Sequence, residues 1–297
     1  MTQDPVLSEP RQRLAGILYM TGASLAFALM VLCVKWAVRD LPVFEVVFFR
    51  SVTGTILISL LIFREKASFL GKDRGLLFLR GASGFTALAL HFYTISKLPL
   101  GLAVMLNFTA PVFAALLAVI FLKEKPGLFL WTMILISFAG VFLLTIPSGM
   151  DLGPGDMKTV YIFLGLLSGF FAAIAYVSIR GIKHHESPLT IIFYFTTVSL
   201  LGSAFFLPAG MRWPAPVEWL ALLGVAVGSF YGQLGMTLAY RKAPASLVSP
   251  FSYLTPAFAF LFGFIFWNEN ITMHTIVGTV LIFVAGSLVS LREAIYE

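Results

Sequence analysis

Arg50 lies in the run EVVFFRSVTG, about two turns inside an apolar stretch long enough to cross a bilayer. A guanidinium there costs ~3 kcal/mol or more and must face the interior of a helix bundle. Two roles stay open for it. It can be tied to backbone carbonyls or a neighbouring helix end, or it can attract an anionic group on a small-molecule substrate. Arg80 sits nearer the start of the next apolar stretch, where a long side chain can snorkel to the interface or take part in a gate. His91, in ALALHFYTISK, is the one group of ordinary near-neutral pKa well inside the bilayer. It reads either as a packed histidine or as a proton-sensing or substrate-contacting one, which makes protons a candidate coupling ion.

The remaining charge is placed by exclusion. All fourteen acidic residues fall in loops, tails or at helix ends, so no carboxylate marks the middle of the membrane. An exporter of cationic or multiple drug-like compounds, the alternative transport function, would want one there. Cys33 is the single cysteine, so neither an intrachain disulfide nor a thiolate metal site can form. His91, His184, His185 and His274 have no metal-ligand spacing, and no paired carboxylates or nucleophile–base motif lies at membrane depth. No enzyme activity and no cofactor are expected. Charged residues make up 11% of the chain, against about 25% in a soluble domain. The net charge of +6 therefore belongs to the loops of a membrane protein and not to a nucleic-acid surface.

Ten segments carry the ~20 apolar residues that a spanning helix needs: 14–36, 45–63, 75–96, 100–122, 128–147, 159–180, 189–208, 217–240, 246–267 and 274–291. The stretch Leu98–Lys125 recurs 145 residues later as Ala243–Asn270. Pro99 falls on Pro244, Pro111 on Pro256 and Glu124 on Glu269. The same shift carries Lys35 onto Arg180 and Phe48 onto Phe193. The chain divides into a tail (1–13), a five-helix repeat (14–147), a Gly/Pro-rich linker (148–158), a second five-helix repeat (159–292) and a short tail (293–297). Five is odd, so the second repeat enters the membrane the other way up. The expected fold is an all-α integral membrane protein of ten transmembrane helices in two inverted-topology repeats.

Each Leu98–Lys125-type stretch is broken by proline, which releases the carbonyl four residues earlier. Pro111 releases that of Asn107 and Pro256 that of Ser252. An unsatisfied carbonyl cannot face lipid, so the two are expected to line one central cavity. Asn107, Thr109, Ser249, Ser252, Tyr253 and Thr255 are its polar candidates, joined from other helices by Arg50, His91, Tyr194, Tyr231 and Gln233. Glu124 and Glu269 end their helices, where a negative charge opposes the macrodipole. Each needs a tertiary partner, a basic residue or a neighbouring helix N-terminus, and a gate-closing or structural role fits it. With Pro111, Pro256 and Arg80 they form the helix-break or gating set. The glycines at 224, 228 and 232 make a small-residue face for close packing.

The runs FYTISKLPLGLAVMLNFTAPVFAALLAVIFLKE and LAYRKAPASLVSPFSYLTPAFAFLFGFIFWNE, with FFRS and RGASGF, resemble the EamA-type transporters of the drug/metabolite transporter superfamily. The resemblance covers Leu14 to Leu291. It implies ten helices in inverted repeats, a central cavity, alternating access and a small organic metabolite as substrate. Pro111, Pro256, Glu124 and Glu269 match the family pattern; Lys123 and Asn268 stand where the family often has glycine. Thirteen of the twenty basic residues fall on the side of the N-terminus and five on the other. That bias places both termini in the cytoplasm of a cell whose inner or plasma membrane holds the protein, as a monomer or a homodimer.

Overall fold

A computed structural model describes residues 10–122, 128–145, 157–182, 186–207, 211, 213–243 and 245–296. Among them every regular element is a helix: α1 (Pro10–Ala37), α2 (Val43–Glu65), α3 (Arg74–Lys97), α4 (Leu100–Asn107), α5 (Ala110–Leu122), α6 (Leu128–Thr145), α7 (Met157–Gly181), α8 (Pro188–Phe205), α9 (Pro216–Lys242), α10 (Ala245–Ser252), α11 (Leu254–Trp267) and α12 (Met273–Tyr296). Seven stretches are long and apolar enough to cross a membrane, and three shorter apolar ones, 100–114, 131–143 and 273–288, accompany them. Since α4–α5 and α10–α11 are each one interrupted span, twelve helices make ten crossings.

The packing has the symmetry of the sequence shift. Moving by 145 residues takes α1 to α7, α2 to α8 and α3 to α9. Accordingly α1 packs along α9 as α7 packs along α3, while α2 meets α8 and α6 meets α12. α1 also covers α10 and α11, as α7 covers α4 and α5. The halves run in opposite directions. Glu269, just past the end of α11, lies against Leu100 at the start of α4, whereas Tyr253, just before α11, lies against Phe108 at the end of α4.

The close α1–α9 contact is made by the glycine face of α9. Gly224 meets Cys33, Gly232 meets Phe27, and Gly235 meets Ala23. A methyl group on Gly228 would lie 2.8 Å from the Ala26 carbonyl oxygen and 2.9 Å from Met30 Cβ.

The two breaks correct the expectation of carbonyls facing one shared cavity. Pro111 is the second residue of α5 and Pro256 the third of α11. In a first turn a proline forfeits no intrahelical bond, so each span stops and restarts instead of kinking. The last carbonyls of α4 and α10 are then covered by the helix that crosses the break. On one side the Ser24 hydroxyl of α1 donates to the carbonyls of Phe251 (3.0 Å) and Ser252 (3.5 Å), and Thr255 donates to the Ser24 carbonyl (3.3 Å). On the other, Thr109 donates to the Leu106 carbonyl (2.6 Å), and the Asn107 carbonyl backs onto Gly169 of α7. The carbonyls of Asn107 and Ser252 therefore end in helix contacts.

Glu269 pins three elements at one end of the bundle. Its carboxylate accepts from the Leu100 amide at 2.8 and 3.0 Å and pairs with Lys35. Lys35 also donates to the Leu98 carbonyl (3.2 Å) and stands 5.1 Å over the Trp267 ring. The charge that opposes the dipole of α11 thus favours that of α4. Its counterpart Glu124 lies outside the described residues.

Two stability predictions follow from this packing. Gly228→Val should cost about 1–3 kcal/mol by overpacking α1 against α9, read as a lower thermal unfolding temperature in detergent. Glu269→Gln and Lys35→Gln should each lower that temperature, and the double variant should lose less than the two losses together.

Candidate functional site

Arg50 leaves α2 in its second turn and is 5% exposed. Its guanidinium carbon lies 5.4 Å from the centre of the Phe195 ring on α8. Arg80, from α3, brings its own guanidinium carbon to 4.7 Å from the same ring. Arg80 thus points into the bundle instead of snorkelling to the interface. The space it uses comes from glycine: a Cβ on Gly84 would overlap Arg80 Nη1 and come within 2.8 Å of the Phe195 ring. Gly81, one turn earlier on that face, lets α3 approach the Tyr194 backbone and Val198.

Both arginines keep a buried Nε with no hydrogen-bond partner, and neither forms an ion pair among the described residues. The two guanidinium carbons are at most the sum of their ring distances, 10.1 Å, apart. At ~10 Å and an effective dielectric of ~20 their mutual repulsion is about 2 kcal/mol. Cation–π contact with Phe195 offsets part of the cost, ~1–2 kcal/mol for each desolvated pair. Unpartnered buried hydroxyls of Ser51 and Thr55 on α2 and Thr197 and Ser199 on α8 add hydrogen-bonding capacity to the interface of these helices.

Arg50 and Phe195 border a small, partly open cleft between α2, α8 and α9. Its polar lining is Arg50, Thr196, Ser229 and Gln233, and its apolar lining includes Leu57, Ile58, Ile192 and Phe230. Arg80 is an electrostatic neighbour of Tyr176 on α7, and Tyr176 of Tyr253. Tyr253 in turn sits edge-on to Phe108 (5.4 Å between ring centres) and places its hydroxyl 3.5 Å from the Phe108 carbonyl. Phe108 and Tyr253 are 145 residues apart, so the breaks of the two repeats meet each other at equivalent positions.

The other residues singled out by sequence are dispersed. Gln233 joins Arg50 in the cleft. Tyr231 does not: it is 60% exposed, because at 100° per residue it lies about 200° around α9 from both Ser229 and Gln233. Tyr194 gives its hydroxyl to the Leu70 carbonyl (2.8 Å), tying α8 to the α2–α3 loop, and does not line the cleft. Asn107 donates to Ser168 of α7 (3.1 Å), a helix-to-helix tie. Ser252 is half-buried at the second break; the side chain of Ser249 lies outside the described residues. His91 is buried beside Phe92, its Nδ1 without a partner. Phe195, Gly84, Tyr176, Thr196 and Ser229 escaped the sequence reading. The Arg80–Gly84 spacing within RGASGF, one helical turn, was the usable signal for Gly84.

Comparison with known proteins agrees with this architecture. The EamA-like transporter family matches twice, over residues 14–146 and 159–291. The pseudopaline exporter CntI of Pseudomonas aeruginosa is 34% identical over 277 residues, covering 91% of this chain and 94% of the relative. Human solute carrier family 35 member G1 is 28% identical, covering 94% of this chain and 79% of its own. The S-adenosylmethionine uptake transporter of Rickettsia bellii is 27% identical over 87% of each chain. A solved crystal structure shares the fold with a TM-score of 0.65 at 16% identity, over 95% of this chain and 98% of its own. A duplicated, all-helical membrane chain with these relatives is a transporter and not an enzyme; it belongs to the EamA-like transporter family of the drug/metabolite transporter superfamily.

Proposed function

We propose that this chain is a secondary transporter that moves a small anionic or zwitterionic organic metabolite by alternating access, with substrate held at Arg50. One observation carries this reading. Arg50 is buried in the bundle, borders the cleft and has no counter-charge among the described residues. A structural arginine would show ties to backbone carbonyls or to a helix end, and Arg50 makes none to the described residues. A substrate carboxylate or phosphate would supply the missing partner through charge-assisted, bidentate hydrogen bonds.

The inverted repeat supports the movement. In a pseudo-symmetric bundle the halves can exchange conformations and expose the site alternately to either side. The Lys35–Glu269–Leu100 cluster closes the end of the bundle that the loop charges assign to the non-cytoplasmic side. Both termini then face the cytoplasm, and the protein resides in the inner or plasma membrane. His91 is the candidate for proton coupling. Relatives named for export and for uptake support transport without fixing its direction.

Reconstitution into liposomes and a screen of metabolites for counterflow tests this. Arg50→Ala should lower the flux of the transported acid at least tenfold, that is by about 1.4 kcal/mol or more of lost binding, with an unfolding temperature close to wild type. Undiminished flux would remove Arg50 from the site. Movement of lipophilic cations alone would favour the drug exporter.

A further inference from the structure

Arg80 had no assigned part in substrate binding, and its position gives it one. We propose that Arg50 and Arg80 form a single two-point receptor, and that the substrate carries two acid groups, as a dicarboxylate does. The inference rests on Arg50 lying at the transport site and adds the second anchor, the shared ring and the charge of the ligand.

Three observations support it. First, the two guanidinium groups arrive from different helices, α2 and α3, onto one ring of a third, Phe195 of α8. Second, space is reserved for this arrangement, since any side chain at Gly84 would displace both the Arg80 head and the ring. Third, no carboxylate of the described residues compensates either charge. A ligand with one acid group would neutralise one guanidinium and leave the other buried and uncompensated. A diacid satisfies both, each carboxylate facing one planar fork of donors. The Phe195 ring then offers an apolar surface to the carbon stem between the acids. The 10.1 Å limit on the guanidinium separation restricts that stem to a short one.

The test uses the full-length protein in detergent, at constant ionic strength. Malonate, succinate, glutarate and adipate are titrated against thermal unfolding, each beside its monomethyl ester, with glycerol phosphate as a dianion whose charge sits on one centre. One diacid length should bind about tenfold tighter than its monoester, the worth of one charge-assisted pair. Arg80→Gln should erase that difference and leave monoester binding as it was. Gly84→Ala should erase it too, although both arginines remain. Arg50→Gln should weaken diacid and monoester alike.

Equal binding of diacid and monoester, tighter binding of glycerol phosphate than of every diacid, or no binding of any acid would overturn the two-point receptor. So would an equal loss of diacid and monoester in Arg80→Gln. If the pair fails in these ways but Arg50→Gln still abolishes monoester binding, the single-anchor site at Arg50 stands. If Arg50→Gln changes nothing, both fall together.

Discussion

The contact between the two interrupted spans organises everything else in the molecule. A bilayer tolerates a broken helix only where its loose backbone groups find protein partners. Here the two breaks are brought together, so that Tyr253 at one reaches the carbonyl of Phe108 at the other. The spans run antiparallel. The end of α11 therefore meets the beginning of α4, and Glu269 serves as the N-terminal anion of a helix it does not belong to. Around this pair α1 and α7 close over the breaks, and α3 and α9 close over α7 and α1. Ser24 and Gly169, equivalent under the 145-residue shift, show how the same task is met by a hydroxyl on one side and by close approach on the other.

Against that balanced frame the arginine pair is the conspicuous imbalance. At the breaks hydroxyls of Ser24, Thr109 and Tyr253 reach backbone carbonyls, and the carboxylate of Glu269 is held by a cation and an amide. Arg50 and Arg80 share one ring and have no acid partner among the described residues. Two buried guanidinium groups with no acid partner among the described residues cost stability and suit the binding of an anion. The arrangement is also placed where movement can act on it. α2 and α3 belong to one repeat and α8 to the other, so the proposed rocking of the halves would change the distance between the cations and their shared ring.

Much of the fold was legible because duplication writes itself into spacing. The 145-residue shift, the odd number of segments in each half and the paired prolines together call for inverted repeats, and each interruption falls within three residues of its proline. The partners of the freed carbonyls were not legible, since they depend on which helix crosses the break, a non-local fact. For the same reason a shared cavity was expected where α1 and α7 actually pack. Arg80 reads as interfacial from its distance to the start of α3; only the absent side chain at Gly84 and the ring of Phe195 turn it inward. Tyr231 shows a simpler limit. Proximity in sequence to Gln233 suggested a common cavity, whereas helical geometry sends the two residues to opposite faces.

Everything said of function depends on the Arg50 cleft being reached by water and solute, and cysteine accessibility measures that directly. In a Cys33→Ala background, Ser229→Cys places one thiol in the cleft wall beside Arg50. Membrane vesicles of both orientations are exposed to a charged, membrane-impermeant thiol reagent, and detergent-denatured protein gives the maximal labelling. An aqueous transport cleft predicts labelling from at least one side, with a rate that falls when a transported acid is added. Thiols that stay unlabelled from both sides, yet react fully after denaturation, would show a cleft closed to water and contradict the account.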